Sequence, residues 1–300
     1  MGTALAMQDG GAVVALLCGP QRASSGAVPR TVYWLVALLL LASATAQADQ
    51  RVQISSNGAS RTLVLDHVLG SGGLGTTYDA HDVADPAQHF AVKVLHSNSA
   101  GALQDLLHEH DVLQKLAQSS NHFIKSYGTG EEVDGQHRPA FAMELLQGKP
   151  LGGTGPGRGW NAPLHLPAGK AVRVARRLLE QLGEMHAAGL VHGDVHTANV
   201  RINDALHSWT ARLVDFGTTH AYSAADGRDD VINVARILLE NLSGKLFNDP
   251  RAFVVPDSHR AVVRGGTVRL GNVLRDAMAG KYGTTQALDA ALAPFAAIAP

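Results

Sequence analysis

Three hundred residues, 45% of them hydrophobic and 17% charged, describe an ordinary globular chain with material for one large domain or two modest ones. A net charge of −1, with acids and bases interspersed, offers neither a basic tract for nucleic acid nor an acidic tail, so no nucleic-acid partner is expected. The one cysteine, Cys18, excludes an internal disulfide and a cysteine-built zinc centre. Of the 15 histidines, His108 and His110 flank Glu109 but stand two apart, on different faces of any helix, where zinc-binding helices space them four apart.

The chain opens on a segment, 1–48, unlike the rest. Val32 to Ala42 is an unbroken apolar run preceded by Arg22 and Arg30 and followed by the small residues Ser43 to Ala48, then Asp49. That is the order of a secretory signal, with cleavage expected after Ala48 and export of the remainder. A membrane span needs about 20 apolar residues, so no stable membrane insertion is expected once the signal is cleaved; the alternative is an uncleaved anchor. Residues 49–57 read as a linker. Beyond it, strands are expected at Arg61–Leu69, Thr76–Asp82 and Phe90–Leu95, with a glycine turn, Gly70–Gly75, between the first two. Leu103, Leu106, Leu107, Val112, Leu113 and Leu116 recur at helical steps. Strands are expected at Phe123–Tyr127 and Ala140–Leu145, then a Gly/Pro-rich breaker zone, Gly148–Pro167. Helices follow at Ala171–Ala188, Asp230–Leu242 and Leu270–Met278, with a last one from Thr284. A β-rich part (58–144) ahead of a helical part (149–300) makes 58–300 an α+β domain of two lobes.

Gly70-Ser71-Gly72-Gly73-Leu74-Gly75 lies between two strands rather than opening a helix, which argues against a dinucleotide fingerprint. Between strands, its bare amides can approach a triphosphate. Lys93 sits inside the apolar strand Ala91-Val92-Lys93-Val94, where an unpaired ammonium is costly; Glu109 on the next helix is the available acid. Further on, Asp194 and Asn199 lie in Val191-His192-Gly193-Asp194-Val195-His196-Thr197-Ala198-Asn199, and Asp215 heads Asp215-Phe216-Gly217. Two carboxylates and an amide on loops leaving short strands are the inventory of phosphoryl transfer: a base for the hydroxyl proton and hard oxygens for Mg²⁺. Asp194 is the candidate base, with Asn199 and Asp215 the candidate metal ligands.

Taken in order, these motifs resemble the signature set of the protein-kinase-like superfamily across most of the chain after residue 58. The resemblance implies a two-lobed fold, ATP and Mg²⁺ as cofactors, and transfer to serine or threonine of a protein. It implies that Lys93, Glu109, Asp194 and His196 serve catalysis. The nucleotide would lie on Leu69, Gly70, Gly72, Gly75, Ala91 and Lys93, with Met143 as gatekeeper and Glu144 and Leu146 as hinge. It also implies that Asp230 braces the catalytic loop. The alternatives are a small-molecule kinase of the aminoglycoside-phosphotransferase type, whose extended C-lobe the 56 residues after Gly244 do not offer, and an inactive nucleotide-binding pseudokinase.

The departures from the family pattern are specific. Gly193 stands where the family has an arginine that pairs with a phosphorylated activation loop, implying activity without that switch. Fourteen residues separate Asp215 from Asp230, with no APE motif. His196 replaces a lysine, and Arg201 stands where an apolar residue floors the adenine. Such trimming resembles the minimal kinases that bacteria deliver into hosts, which would make the partner a host protein.

Overall fold

The computed structural model describes residues 50–56, 58–133, 136–152, 163–203, 210–246, 260–263 and 266–297, all within the compact unit Asp49–Pro300. The expected signal segment and residues 153–162 of the breaker zone lie outside the described residues. No described helix is long and apolar enough to cross a membrane.

The N-lobe is a barrel of six antiparallel strands with α1 (Ala100–Ser119) against it. The strands are β1 (Arg51–Ser56), β2 (Ala59–Ser71), β3 (Gly75–Asp82), β4 (His89–Leu95), β5 (Ser126–Glu132) and β6 (Pro139–Glu144), closed in the order β1-β2-β3-β4-β6-β5. Alternation decides the faces: Phe90, Val92 and Val94 of β4 fill the interior with Leu63, Ala80, Ala140 and Ala142. Ala91 and Lys93 therefore point outwards, towards the cleft.

The linker reading of 49–57 is corrected here, since Arg51–Ser56 is a strand paired with both β2 and β5. Its polar composition hides a two-residue alternation, in which Val52 and Ile54 are buried and their neighbours are not. Closure depends on β5: a Cβ at Gly130 would lie 1.7 Å from the Gln53 carbonyl oxygen, and one at Gly128 would lie 2.3 Å from that of Ser55. The strand expected at Phe123–Tyr127 starts only at Ser126. Phe123 and Ile124 are buried in the core beneath the barrel instead, so their apolar run reflects burial rather than pairing. On α1 the buried face carries Leu106, Glu109, Val112, Leu113 and Leu116, while Leu103 and Leu107 are exposed. A carboxylate thus occupies a core position that the apolar spacing did not pick out, and two of the leucines it did pick out lie outside the buried face.

In the C-lobe, α2 (Ala168–Ala187) packs on α3 (Ala224–Ser243) and α5 (Thr285–Leu292), and α4 (Leu270–Met278) joins α3 and α5. Short strands carry the loops of interest: β7 (Lys149–Pro150), β8 (Leu190–Val191), β9 (Val200–Asn203), β10 (Thr210–Leu213) and β11 (His220–Ala221). A hairpin, β12 (Arg260–Val263) with β13 (Gly266–Arg269), precedes α4; the sequence reading did not foresee it. Helix α3 begins six residues before the expected Asp230, because Ser223 caps it: its Oγ accepts from the Asp226 N–H at 3.1 Å, with Asp226 itself in the first turn.

Candidate active site

The barrel delivers Lys93 to the cleft and α1 meets it with Glu109. Lys93 Nζ donates to Glu109 Oε2 at 2.7 Å and reaches Asp215 Oδ1 at 3.4 Å. Burial alone would lower the Lys93 ammonium; Glu109 and Asp215 outweigh it and raise it above its ordinary value. Burial pushes the Glu109 carboxyl up, while Lys93 and the Phe216 N–H, 3.2 Å from Oε1, pull against that. Glu109 thus joins two chain segments, β4 and the turn after β10, through one carboxylate.

The loop from Asp194 to Asn199 is folded onto itself. Asn199 Nδ2 donates to both the carbonyl and Oδ2 of Asp194, at 3.0 Å each. His196 Nδ1 accepts from the Ala198 N–H at 3.2 Å, which leaves its Nε2 as the donor 3.3 Å from Asp194 Oδ2. That hydrogen bond, assisted by Asn199, holds the Asp194 carboxyl below the usual carboxylate range. Asp194 is therefore a weak proton acceptor, suited to orienting a hydroxyl more than to removing its proton early.

Asp215 adopts φ +64, a left-handed conformation uncommon outside glycine. Its neighbour Phe216 is fully buried, its ring 6.2 Å from Phe123 and 5.1 Å from His192. Burial lowers the His192 imidazole, so the ring is neutral and packs as a core group. The buried Asp230 accepts from the His192 and Gly193 N–H groups at 3.0 and 3.1 Å and from His186 Nε2 at 3.0 Å.

The glycine turn leaves room at its tip. A Cβ at Gly70 or Gly72 would meet nothing within 4 Å, whereas one at Gly75 would lie 2.5 Å from the Val94 carbonyl oxygen. Only Gly75 is demanded by the protein's own packing; the open space over Gly70 and Gly72 suits phosphate oxygens. Ala91 on β4 pairs with Met143 on the adjacent β6, which ends at Glu144; Leu69 lies near the end of β2, and Leu146 follows in the hinge. Below the hinge, Glu144, Leu145, Leu146, Gln147 and Arg201 bound a cavity of about 200 Å³ together with Asn203, Thr210 and Arg212. Val200 and Ile202 face the core, so Arg201 faces this cavity. Burial lowers its guanidinium below its ordinary value.

Three contacts escaped the sequence reading. Arg212 holds Glu144 at 2.7 Å and the carbonyls of His122 and Phe123, stapling the hinge to the turn after α1. Buried Gln181 bridges the Ala211 carbonyl and the Leu213 N–H. His108 Nε2 donates to the Thr219 carbonyl at 2.6 Å. Only the last had a signal, its place beside Glu109.

The donor set fits a hard divalent cation. Asn199 spends Nδ2 on Asp194, leaving its amide oxygen, and the Asp215 side chain is 51% exposed into the cleft.

With that geometry established, comparison with known proteins is direct. The family model described as "Protein kinase domain" matches residues 63–234, more than half of the chain. The serine/threonine-protein kinase PknL of Mycobacterium tuberculosis is 34% identical over 180 residues, covering 60% of this chain and 42% of PknL. The serine/threonine-protein kinase pkn2 of Myxococcus xanthus is 30% identical over 168 residues, covering 53% of this chain and 19% of that protein. The chain thus spans less than half the length of these curated relatives. A crystal structure of the Mycobacterium tuberculosis PknI kinase domain, as a double mutant, superposes with a TM-score of 0.55 at 20% identity, covering 81% of this chain and 99% of that one. Cleft geometry, family model and fold agree, and the chain belongs to the protein kinase family.

Proposed function

We propose that this chain is a protein serine/threonine kinase that transfers the γ-phosphoryl group of ATP, with Mg²⁺, to a protein hydroxyl. The observation that carries the reading is the Lys93–Glu109 pair at 2.7 Å with Asp215 3.4 Å from the same ammonium, opposite an Asp194 held by Asn199 and His196. In this reading Lys93 steadies the α- and β-phosphates, and the amides of the glycine turn cover the triphosphate. Asn199 and Asp215 would hold Mg²⁺, which supplies neutralisation of the phosphate charge. Asp194 orients the acceptor hydroxyl and takes its proton late, which suits a carboxyl of lowered pKa. Catalysis is then mostly positioning and electrostatics.

The reading extends to location. The apolar run Val32 to Ala42 and the small residues before Asp49 support export with cleavage after Ala48, and the trimmed catalytic segment supports a host protein as substrate. The test is to incubate the protein with labelled ATP, Mg²⁺ and a eukaryotic lysate, then hydrolyse the products. Label in phosphoserine or phosphothreonine is expected; label only in an aminoglycoside or other small acceptor would overturn the assignment.

A further inference from the structure

Five polar side chains converge on the outer wall of the barrel, and none takes part in the cleft chemistry. They are Asp66 and His67 on β2, Asp79 and His81 on β3, and His89 on β4. The register explains their meeting. The β2–β3 ladder shifts between Leu65/Ala80 and His67/Asp79, so Asp66 is the extra residue of a bulge. Its carboxylate lies 2.9 Å from His81 Nδ1, while His67 Nε2 lies 3.8 Å from Asp79 Oδ2. On β4, His89 pairs opposite His81, their rings 6.1 Å apart. His89 Nδ1 is 2.8 Å from Asp79 Oδ1.

We propose that Asp66, Asp79 and His89 form a binding site for a divalent cation of the zinc class, with His81 orienting Asp66 and His67 beside the open position. One ligand atom from each of the three lies within 4.8 Å of the other two. Bonds of about 2.0–2.1 Å in a tetrahedron set ligand atoms about 3.3 Å apart, so small rotations of these side chains suffice. Two carboxylates balance the dication, and the imidazole selects a borderline metal over Mg²⁺ or Ca²⁺, which prefer all-oxygen shells. His81 supplies the outer hydrogen bond that ligating carboxylates commonly have. A second grouping, His122 with Glu180 and Glu184, also offers one histidine and two carboxylates, but Arg177 already holds Glu180 at 2.5 Å. The first grouping therefore has the better donor set. An ion there would tie together β2, β3 and β4, the strands that carry the glycine turn and Lys93.

The test is calorimetric titration of the full chain with zinc chloride in millimolar Mg²⁺. Wild type is expected to bind one equivalent, with affinity falling tenfold or more in His89→Ala and in Asp66→Asn and unchanged in His122→Ala and Asp215→Ala. Loading with Co²⁺ gives a second readout, a visible band expected from wild type and lost in His89→Ala. Should His89→Ala fail to fold by circular dichroism, Asp66→Asn on the exposed bulge carries the comparison. Absence of binding to wild type, equal binding by the Asp66 and His89 variants, or loss in His122→Ala or Asp215→Ala would overturn the proposal.

Discussion

The two sides of the cleft are built on different terms. The phosphate side spends charged groups: an ammonium shared by two carboxylates, a second carboxylate loop closed by an amide and an imidazole, and a buried Asp230 bracing it. The segment from Phe216 to Ser223 spends mostly backbone contacts. Thr218 Oγ1 donates to the His192 carbonyl at 2.9 Å, the Thr219 carbonyl accepts from His108, and β11 pairs with β8. All of these contacts are made by the chain's own groups. Gly193 leaves room for them: at φ +79, a Cβ there would meet the Thr218 carbonyl oxygen at 3.0 Å and the His220 ring at 3.2 Å. The space beside Gly193 and Asp194 is filled by the segment itself. A chemical core has little freedom in its residue types, whereas the platform beside it can be held by whatever fits.

The largest expected effect falls on the phosphate side. Asp215→Ala and Lys93→Ala should each slow labelled-phosphate transfer by about 10²–10³, the usual loss when a charge-stabilising group is removed. Wild-type rates in both would break the account of that side.

Next in size is Gly193→Arg, which restores the family's side chain where a Cβ already meets the Thr218 carbonyl oxygen at 3.0 Å. Strain of about 1–3 kcal/mol together with displacement of Thr218 and His220 should cut the initial rate about tenfold. A rate that instead rises, and then depends on phosphorylation, would show that the segment accepts the conventional switch.

A smaller effect concerns His196. It holds the Asp194 carboxyl low, so wild-type activity should persist as pH falls through the ordinary carboxylate range, failing only below it. His196→Ala removes the largest cause, and the acid limb of the kcat/KM profile should move upward towards that range. An acid limb in the same place in both proteins would mean that Asp194 does not report on catalysis.

Much of this architecture was legible in the sequence because it depends on local pattern. The glycine turn, Lys93 in its apolar strand, and the order Asp194, Asn199, Asp215 are written at short range. What escaped was long-range. The closure of β1 onto β5 depends on glycines 128 and 130, some 75 residues away along the chain, and two buried apolar side chains in a polar stretch gave little warning. Glu109 as a core residue of α1 was legible only as a partner for Lys93, not as part of the helix face. Arg212, Gln181 and the Asp66–Asp79–His89 grouping owe their meaning to neighbours that only folding supplies. Arg201 shows the reverse case. The sequence flagged it, and the structure places it facing the cavity beneath the hinge with burial working against its charge.

The claim that binds the two sides is that the short segment is set in place without phosphorylation. The direct measurement is the initial rate of the wild-type protein before and after phosphatase treatment, beside a variant in which Thr218, Thr219, Tyr222 and Ser223 are replaced by non-phosphorylatable residues. Because Ser223 caps α3, a version retaining Ser223 separates loss of the cap from loss of a phosphate. The account predicts rates within threefold for wild type, treated wild type and the Ser223-retaining variant. A drop of tenfold or more on phosphatase treatment, about 1.4 kcal/mol in barrier, would contradict it.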